Sequence, residues 1–310
     1  MAMTPSKARV VNPVLSQVAR GYQNQDFVGT KLFPFVPVAQ RGGTVIEFGK
    51  DKFILEDTAR APGAHVSRSD VAFGSSTYAL RQHAIAKGVP VEHLEEAAGV
   101  PGIDMATVAI NDGMQKILLK LEHQQATLAR DANKYHSDNK ITLSGSTQWS
   151  HADSDPALAV KTARSVISSK TGMYPNTLLL AEPVFSALTV HPKILDRIKY
   201  TGTDSITEKM LAQLLGVDEV VVGKAVYLNA SGAFVRVWGK DAVLAYTAPG
   251  TLAAMGTPSY GYTYRLRQMP VVETPHYDPD TRSYVYTSID EHAPVMPGPD
   301  AGYLFTNAVA

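Results

Sequence analysis

Ser137-Asp138-Asn139 and Lys170-Thr171-Gly172 are the stretches of this chain whose residue types could do covalent chemistry. With a Ser-x-x-Lys motif they complete the signature of penicillin-recognising serine enzymes, in which a serine is acylated beside a lysine. The one Ser-x-x-Lys here, Ser137 to Lys140, overlaps the first tripeptide, and one serine cannot fill two places in a site. Lys170-Thr171-Gly172 also reads as a helix terminus where that chemistry needs a strand edge. The matches are coincidental. A second arrangement is "NTLLLAEPVFSALTVHPKILDRIKY", residues 176–200. Thr177 to Ala181 reads as a buried strand, Pro183 fits a first helical turn, and His191 lies nearby. A strand feeding a helix presents many catalytic groups. His191, however, precedes Pro192, which biases it away from helix, so the pair ends the first helix.

Metal and phosphate chemistry find no better footing. The nine histidines stand at 65, 83, 93, 123, 136, 151, 191, 276 and 292, and none form His-x-x-x-His. "EHLEE", residues 92–96, reads as a solvated helix start. His276 with Asp278 and Asp280 reads as a turn whose aspartates bond local amides. Gly223-Lys224 is followed by Ala225 and its glycines are spaced wrongly for a phosphate loop; no Gly-x-Gly-x-x-Gly follows a strand. No cofactor, metal or catalytic residue is expected.

The elements that would have to position such residues have an unusual order. Residues 1–40 contain "FVGTKLFPFVPVAQRGG", where Pro34 and Pro37 favour extended backbone beside Phe27, Leu32, Phe33, Phe35 and Val36. An extended apolar arm has to bury those side chains on its own domain or on a neighbouring subunit. "TVIEF" and "STYALRQHAIAKGV" then alternate as strands around a polar, turn-rich stretch, a hairpin with little core of its own. Ile110, Met114, Ile117, Leu118, Leu121 and Leu128 follow a helical repeat. Capped by Asp104, that helix runs about 30 residues, or ~45 Å. "NDG", residues 111–113, is a possible break, since Asp112 with Gln115 could make a capping box. From Asp155 the pattern is α/β: a helix from Pro156 to Lys170 stopped by Gly172, the 176–200 unit, a helix from Thr207 to Gly216, then strands. From residue 260 it is β again, with "PVVETPHYDPDTRSYVYTSIDE" as two strands around a "DPDTRS" turn.

The chain has 310 residues, 45% of them hydrophobic, enough for a real core. Lys plus Arg and Asp plus Glu number 29 each, so the basic excess that tight phosphate neutralisation needs is missing. With no cysteine there is no disulfide, thiolate metal site or Cys nucleophile. No apolar stretch approaches the roughly 20 residues of a membrane span, and "MAMTPSKARVVNPVLSQ" lacks the apolar centre of a signal peptide. The expectation is a protein made and used, or assembled, inside a cell.

The segment order, together with "LFPFVPV", "RAPG" at 60–63, "TLSGSTQW", and "NTLLLAEPVFSALTVHPKILDRIKYTG" followed by "LLGVDEVVVGKAVY", resembles the major capsid proteins of tailed bacteriophages with the Hong Kong 97-like fold. The resemblance covers almost the full chain. It implies an α+β fold: an N-terminal arm (1–40), an extended β-hairpin loop (41–88), a peripheral domain with a long spine helix (89–154 and 251–310), and an α/β axial domain (155–250). It implies a non-enzymatic virion protein, assembled in the host bacterial cytoplasm into pentamers and hexamers of an icosahedral shell. Its expected partners are further copies of itself, a portal, a scaffolding protein, decoration proteins and packaged double-stranded DNA bound without sequence specificity; no membrane is involved. Phe33, Phe35, Glu56, Asp57, Arg60 and Arg68 are then expected at contacts between subunits, and Gly113 as a hinge of the spine helix. Lys50 and Lys52 lie in the loop, but covalent crosslinking through them is not expected. An encapsulin-like compartment, which shares the fold, and an α/β hydrolase using Ser137 are the alternative readings.

Overall fold

The computed structural model describes residues 11–45, 55, 59–60, 62–63, 65–66, 77–99, 104–198, 206–248 and 259–310. Within it, Thr177–Ala181 (β6) is buried at all five positions, the pattern of a strand covered on both faces. It pairs in parallel with β7 (Glu219–Gly223) and antiparallel with β10 (Ala242–Ala245). β10 continues to β15 (Gly302–Thr306) and β15 to β5 (Lys140–Thr142), a five-stranded sheet in the order β5-β15-β10-β6-β7. Helices α5 (Pro156–Thr171) and α8 (Glu208–Leu215) pack on it. Their ends follow the sequence: the Asp155 carboxylate accepts from the Leu158 N–H, the Thr207 hydroxyl from the Met210 N–H, and Gly172 and Gly216 close the helices at φ 69°. Between β6 and α8 lie α6 (Glu182–Thr189) and α7 (Pro192–Ile198), and after β7 comes a two-stranded hairpin, β8 (Val226–Leu228) with β9 (Phe234–Arg236).

The second sheet is organised on one long strand, β14 (Ser283–Val295). Along it pair β4 (Arg81–Pro90), β11 (Tyr262–Leu266), β12 (Val271–Val272) and β13 (His276–Asp278), all antiparallel. β1 (Phe35–Val38) joins in parallel beside β11, as an edge strand that tolerates Pro37. Across this sheet lies the spine helix, α4 (Met105–Arg130), 26 residues or roughly 39 Å long. The Asp104 carboxylate caps it, accepting from the Ala106 N–H at 3.0 Å. α1 (Pro13–Gly21), capped by Asn12, packs on β12 and α4; α2 (Gly29–Leu32) is one turn; α3 (Val91–Ala98) follows β4.

Three expectations change and two open alternatives are decided. The C-terminal strand does not stay with the peripheral part: β15 is an apolar strand with four of its five residues buried, so it has to lie inside a sheet, and it pairs with β10. β5, assigned to 89–154, joins the same sheet. "STYALRQHAIAKGV" is two strands, because the chain switches partner at Leu80, whose N–H donates to Arg41 O at 2.7 Å. β3 (Thr77–Ala79) pairs with β2 (Gly42–Thr44) at the base of the extended loop, while β4 pairs with β14; most of "TVIEF" and of the loop beyond lies outside the described residues. Residues 11–38 are docked on their own subunit. The spine helix runs through "NDG" without a break, so the Asp112–Gln115 capping box does not form.

Gly113 has a packing reason to be glycine. It faces β4 and β14, and a Cβ there would stand 3.3 Å from Ile85 Cγ2 and 3.3 Å from Ser288 Oγ. Beside it, Asp112 pairs with Lys87 of β4 and lies 3.7 Å from Lys116. Gly113→Ala therefore combines a helix-propensity gain of about 1 kcal/mol with crowding, and its stability should stay within about 1 kcal/mol of wild type. Gly113→Val should destabilise by roughly 2–3 kcal/mol through overpacking. Urea unfolding of the two variants checks both values.

Candidate inter-subunit surfaces

The two suspicious tripeptides do meet in space. Ser137–Asn139 forms a single 3-10 turn, and Lys170 Nζ donates to Asn139 Oδ1 at 2.5 Å. Asn139 is buried and donates in turn to Gly302 O at 2.8 Å, so the group pins α5 to the start of β15. The Ser137 hydroxyl donates to the Asp138 carboxylate at 3.0 Å. His136 Nδ1 stands 3.4 Å from the Ser137 Oγ and 3.2 Å from Lys170 Nζ, so the group is an exposed polar cluster in which the lysine is shared between His136 and the Asn139 amide that anchors it to the scaffold.

A pairing the sequence did not reveal is Ser154 with His191, their Oγ and Nε2 atoms 3.1 Å apart. Both are buried, and the Ser154 hydroxyl donates to His151 O at 2.8 Å. His191 Nδ1 has no partner among the described residues, so no carboxylate orients the ring as a triad requires. The backbone of His191 instead opens α7, accepting the Leu195 N–H at 2.9 Å. The 176–200 unit is scaffold. At the "DPDTRS" turn, the Asp278 carboxylate accepts from the Thr281 hydroxyl at 2.7 Å and from the Asp280 N–H at 3.1 Å. The Thr281 bond leads in holding its pKa below the usual range. Among the described residues no cluster of His, Asp and Glu is arranged to hold a metal, and no helix is long and apolar enough to cross a membrane.

What the interior does contain are joints. Glu122 of α4, 1% exposed, accepts from the Val28 N–H at 3.1 Å, the Gly29 N–H at 2.8 Å and Trp238 Nε1–H at 2.7 Å. One carboxylate thus ties the N-terminal segment, the spine helix and the five-stranded half together. Arg130, at the end of α4, donates to Asp241 at 2.5 Å and to Val237 O at 3.1 Å.

The residues expected at contacts divide. Phe33 is a correction: it is fully buried in its own subunit, 5.4 Å from the Tyr260 ring and against Gly261, where any side chain would collide with it. Phe35 is half-buried under the Arg265 guanidinium, 4.7 Å from its ring centroid. Arg60 is exposed; Glu56, Asp57 and Arg68 lie outside the described residues. Sequence reading placed strands at both arms of the β8–β9 hairpin but did not single it out as a surface; its outer face carries Val226, Leu228 and Phe234, the last 74% exposed. Its signal was the alternation of "AVYLNASGAFVRV" around a turn.

A long spine helix laid across a six-stranded sheet, joined to an α/β half, defines a Hong Kong 97-like capsid subunit. The same fold is found in the capsid of cyanophage P-SCSP1u at 8% identity, with a TM-score of 0.60 over 92% of this chain and 89% of that one. A phage-related protein from Bordetella bronchiseptica RB50 is nearer, with 41% identity and a TM-score of 0.82 over 97% of this chain and 98% of that one. The major capsid protein of Burkholderia phage BcepMu is 33% identical over 97% of each chain. The family described as phage major capsid protein E matches residues 113–290. The chain belongs to that family: it is a structural capsid protein, not an enzyme. The hydrolase reading is thereby overturned, and the encapsulin reading gives way to the phage one.

Proposed function

We propose that copies of this chain assemble, in the cytoplasm of a host bacterium, into the pentamers and hexamers of an icosahedral phage head that encloses double-stranded DNA. The observation that carries this reading is the end-to-end similarity to the BcepMu major capsid protein. The zero net charge supports it, because a neutral subunit packs beside its copies and leaves packaged DNA unbound. A portal and a separate scaffolding protein complete the assembly, with decoration proteins as further partners. The extended loop reaches neighbouring subunits, and Arg60, Arg68, Glu56, Asp57 and Phe35 contribute to those contacts. Gly113 is where the spine helix bends if a rounder precursor expands.

Electron imaging of the purified protein, with its scaffolding partner where needed, tests the reading: closed shells are expected, and discrete soluble particles of a few subunits overturn it. The loop is tested by reversing Arg60 and Arg68 to Glu. Each exposed ion pair is worth only ~0–1 kcal/mol, but a shell repeats it in every copy. Shell yield should fall while melting of the free subunit stays unchanged; an equal loss in both places the arginines in the subunit's own core.

A further inference from the structure

The contact between the spine helix and the second sheet has two unlike halves. Towards the helix N-terminus it is dry: Ile110, Met114 and Ile117 pack on Val89 and Tyr286. Towards the C-terminus the sheet presents His83, Asp290 and His292 instead, and the helix presents Lys120, His123 and Gln124 across a cavity of about 740 Å³. The two sheet histidines are stacked, with ring centroids 4.4 Å apart and planes at 13°. His292 donates its Nδ1–H to Asp290 at 3.0 Å, and Asp290 also takes both prongs of Arg265, at 2.8 and 2.7 Å. That leaves Nε2 of His83 and Nε2 of His292 buried with no partner among the described residues.

We infer that the His83–His292 stack is a proton-operated joint. With His83 neutral it holds β4 and β14 on the second half of the spine helix; when His83 takes a proton that half releases, and the dry half serves as the pivot.

Every element packed around His83 argues the same way. A protonated ring carries a second N–H, and His83 Nε2 has no acceptor waiting. The new charge would face His292 on β14, Arg81 on its own strand, and Lys120 and His123 on the helix. The nearest anion, Asp290, already serves Arg265 and His292, and Asp131 lines the cavity only at the far end of the helix. The neighbouring Glu291 side chain points to the opposite face, where it holds Arg41 at 2.6 Å. Consistently, His83 titrates below the ordinary histidine range, first because burial disfavours its charge and next because His292 repels it; Asp290 pulls the other way, and Lys120 and Arg81 add smaller repulsions. The sign follows. The closed joint binds this proton more weakly than an open one, whose ring titrates near 6.5. Its stability is therefore complete above that pH and falls as pH drops below it. The cavity means that few packed contacts are lost on opening.

The inference rests on the subunit's geometry and not on the shell reading; in a shell, the same joint would couple acidity to the angle between extended loop and spine helix. Hydrogen exchange of the full-length protein, at about pH 7.5 and about pH 5.5 with intrinsic rates normalised, tests it. Peptides from residues 81–85 and 118–127 should lose protection at the lower pH, on the order of tenfold for one unit of differential proton affinity. Peptides from residues 105–117 should keep theirs. His83→Gln should abolish the response. Lys120→Gln, at an exposed position, should weaken it by removing one repelling charge from the closed state. Equal protection at both pH values, a loss that reaches 105–117 equally, or an undiminished response in His83→Gln overturns the inference. If His83→Gln does not fold, Lys120→Gln decides: a response as large as wild type overturns it.

Discussion

Glu122→Ala is expected to lower the unfolding free energy by about 3 kcal/mol, from the loss of charge-assisted hydrogen bonds worth roughly 1.5–3 kcal/mol each, partly offset by relief of a buried charge. Of the three donors it abandons, those on Gly29 and Trp238 are buried and that on Val28 is half-buried. Because they belong to three different parts of the subunit, the loss should also break the cooperativity of unfolding, lowering the urea m-value as well as the midpoint. Glu122→Gln keeps one acceptor oxygen but turns an amide N–H₂ toward donors, so it should cost less than alanine. Burial pushes the Glu122 carboxyl up from its usual range, while the Trp238, Gly29 and Val28 bonds pull it partly back. The folded state thus holds this proton more tightly than the unfolded chain. Stability contributed by the protonated form is lost as pH rises through the folded pKa, and the deficit of Glu122→Gln relative to wild type should shrink over the same range. Urea titrations of both variants from mildly acidic to neutral pH check the order and the trend. A loss below about 1 kcal/mol for alanine would mean that the carboxylate is incidental to the joint.

Glu122 is a kind of residue that the sequence hides. Its helix was legible, because Ile110, Met114, Ile117 and Leu121 repeat at helical spacing and Asp104 offers a cap. The α/β half was legible for the same sort of reason: Pro156, Gly172, Thr207 and Gly216 are local signals, and the structure uses each of them where it stands. What could not be read is long-range pairing. Nothing local in "GYLFT" says that it crosses back to pair with Ala242–Ala245. Nothing in "LFPFVPV" says that Phe33 fills a hole made by Gly261. The apolar arm had two places to go, and only tertiary contact chooses between them. The joints at Glu122, Arg130–Asp241 and Arg265–Asp290 bring together side chains that are polar, isolated in sequence and indistinguishable there from surface residues.

The last of these joints carries the second large expectation. Asp290 is fully buried, and burial by itself would raise its pKa; the bond from His292 and the charge and bonds of Arg265 reverse that and hold it at about 2. Relative to an unfolded aspartate near 3.9, this contributes about 2.5 kcal/mol of stability at neutral pH. The contribution is present above the unfolded pKa and is lost as pH falls through the folded one, so wild type should weaken between about pH 4 and pH 2. That window lies well below the one assigned to His83, which keeps the two titrations separable. Asp290→Ala removes the carboxylate and leaves Arg265 as a buried cation, an error that typically costs about 3–5 kcal/mol. Arg265 keeps 18% side-chain exposure, so part of its charge can turn to water and the lower end of that range is expected. Combining Asp290→Ala with Arg265→Met removes both charges and keeps an apolar stem against the Phe35 ring, which the guanidinium now covers at 4.7 Å. Replacing a whole buried pair by apolar groups is often close to neutral. The double variant should therefore recover most of the loss and show no weakening of its own from this site between about pH 4 and pH 2. Urea unfolding of the four proteins of this cycle, at neutral pH and near pH 3, gives the coupling directly. If the double variant is no more stable than Asp290→Ala alone, the carboxylate acts chiefly through His292, and the stacked ring is what its loss releases.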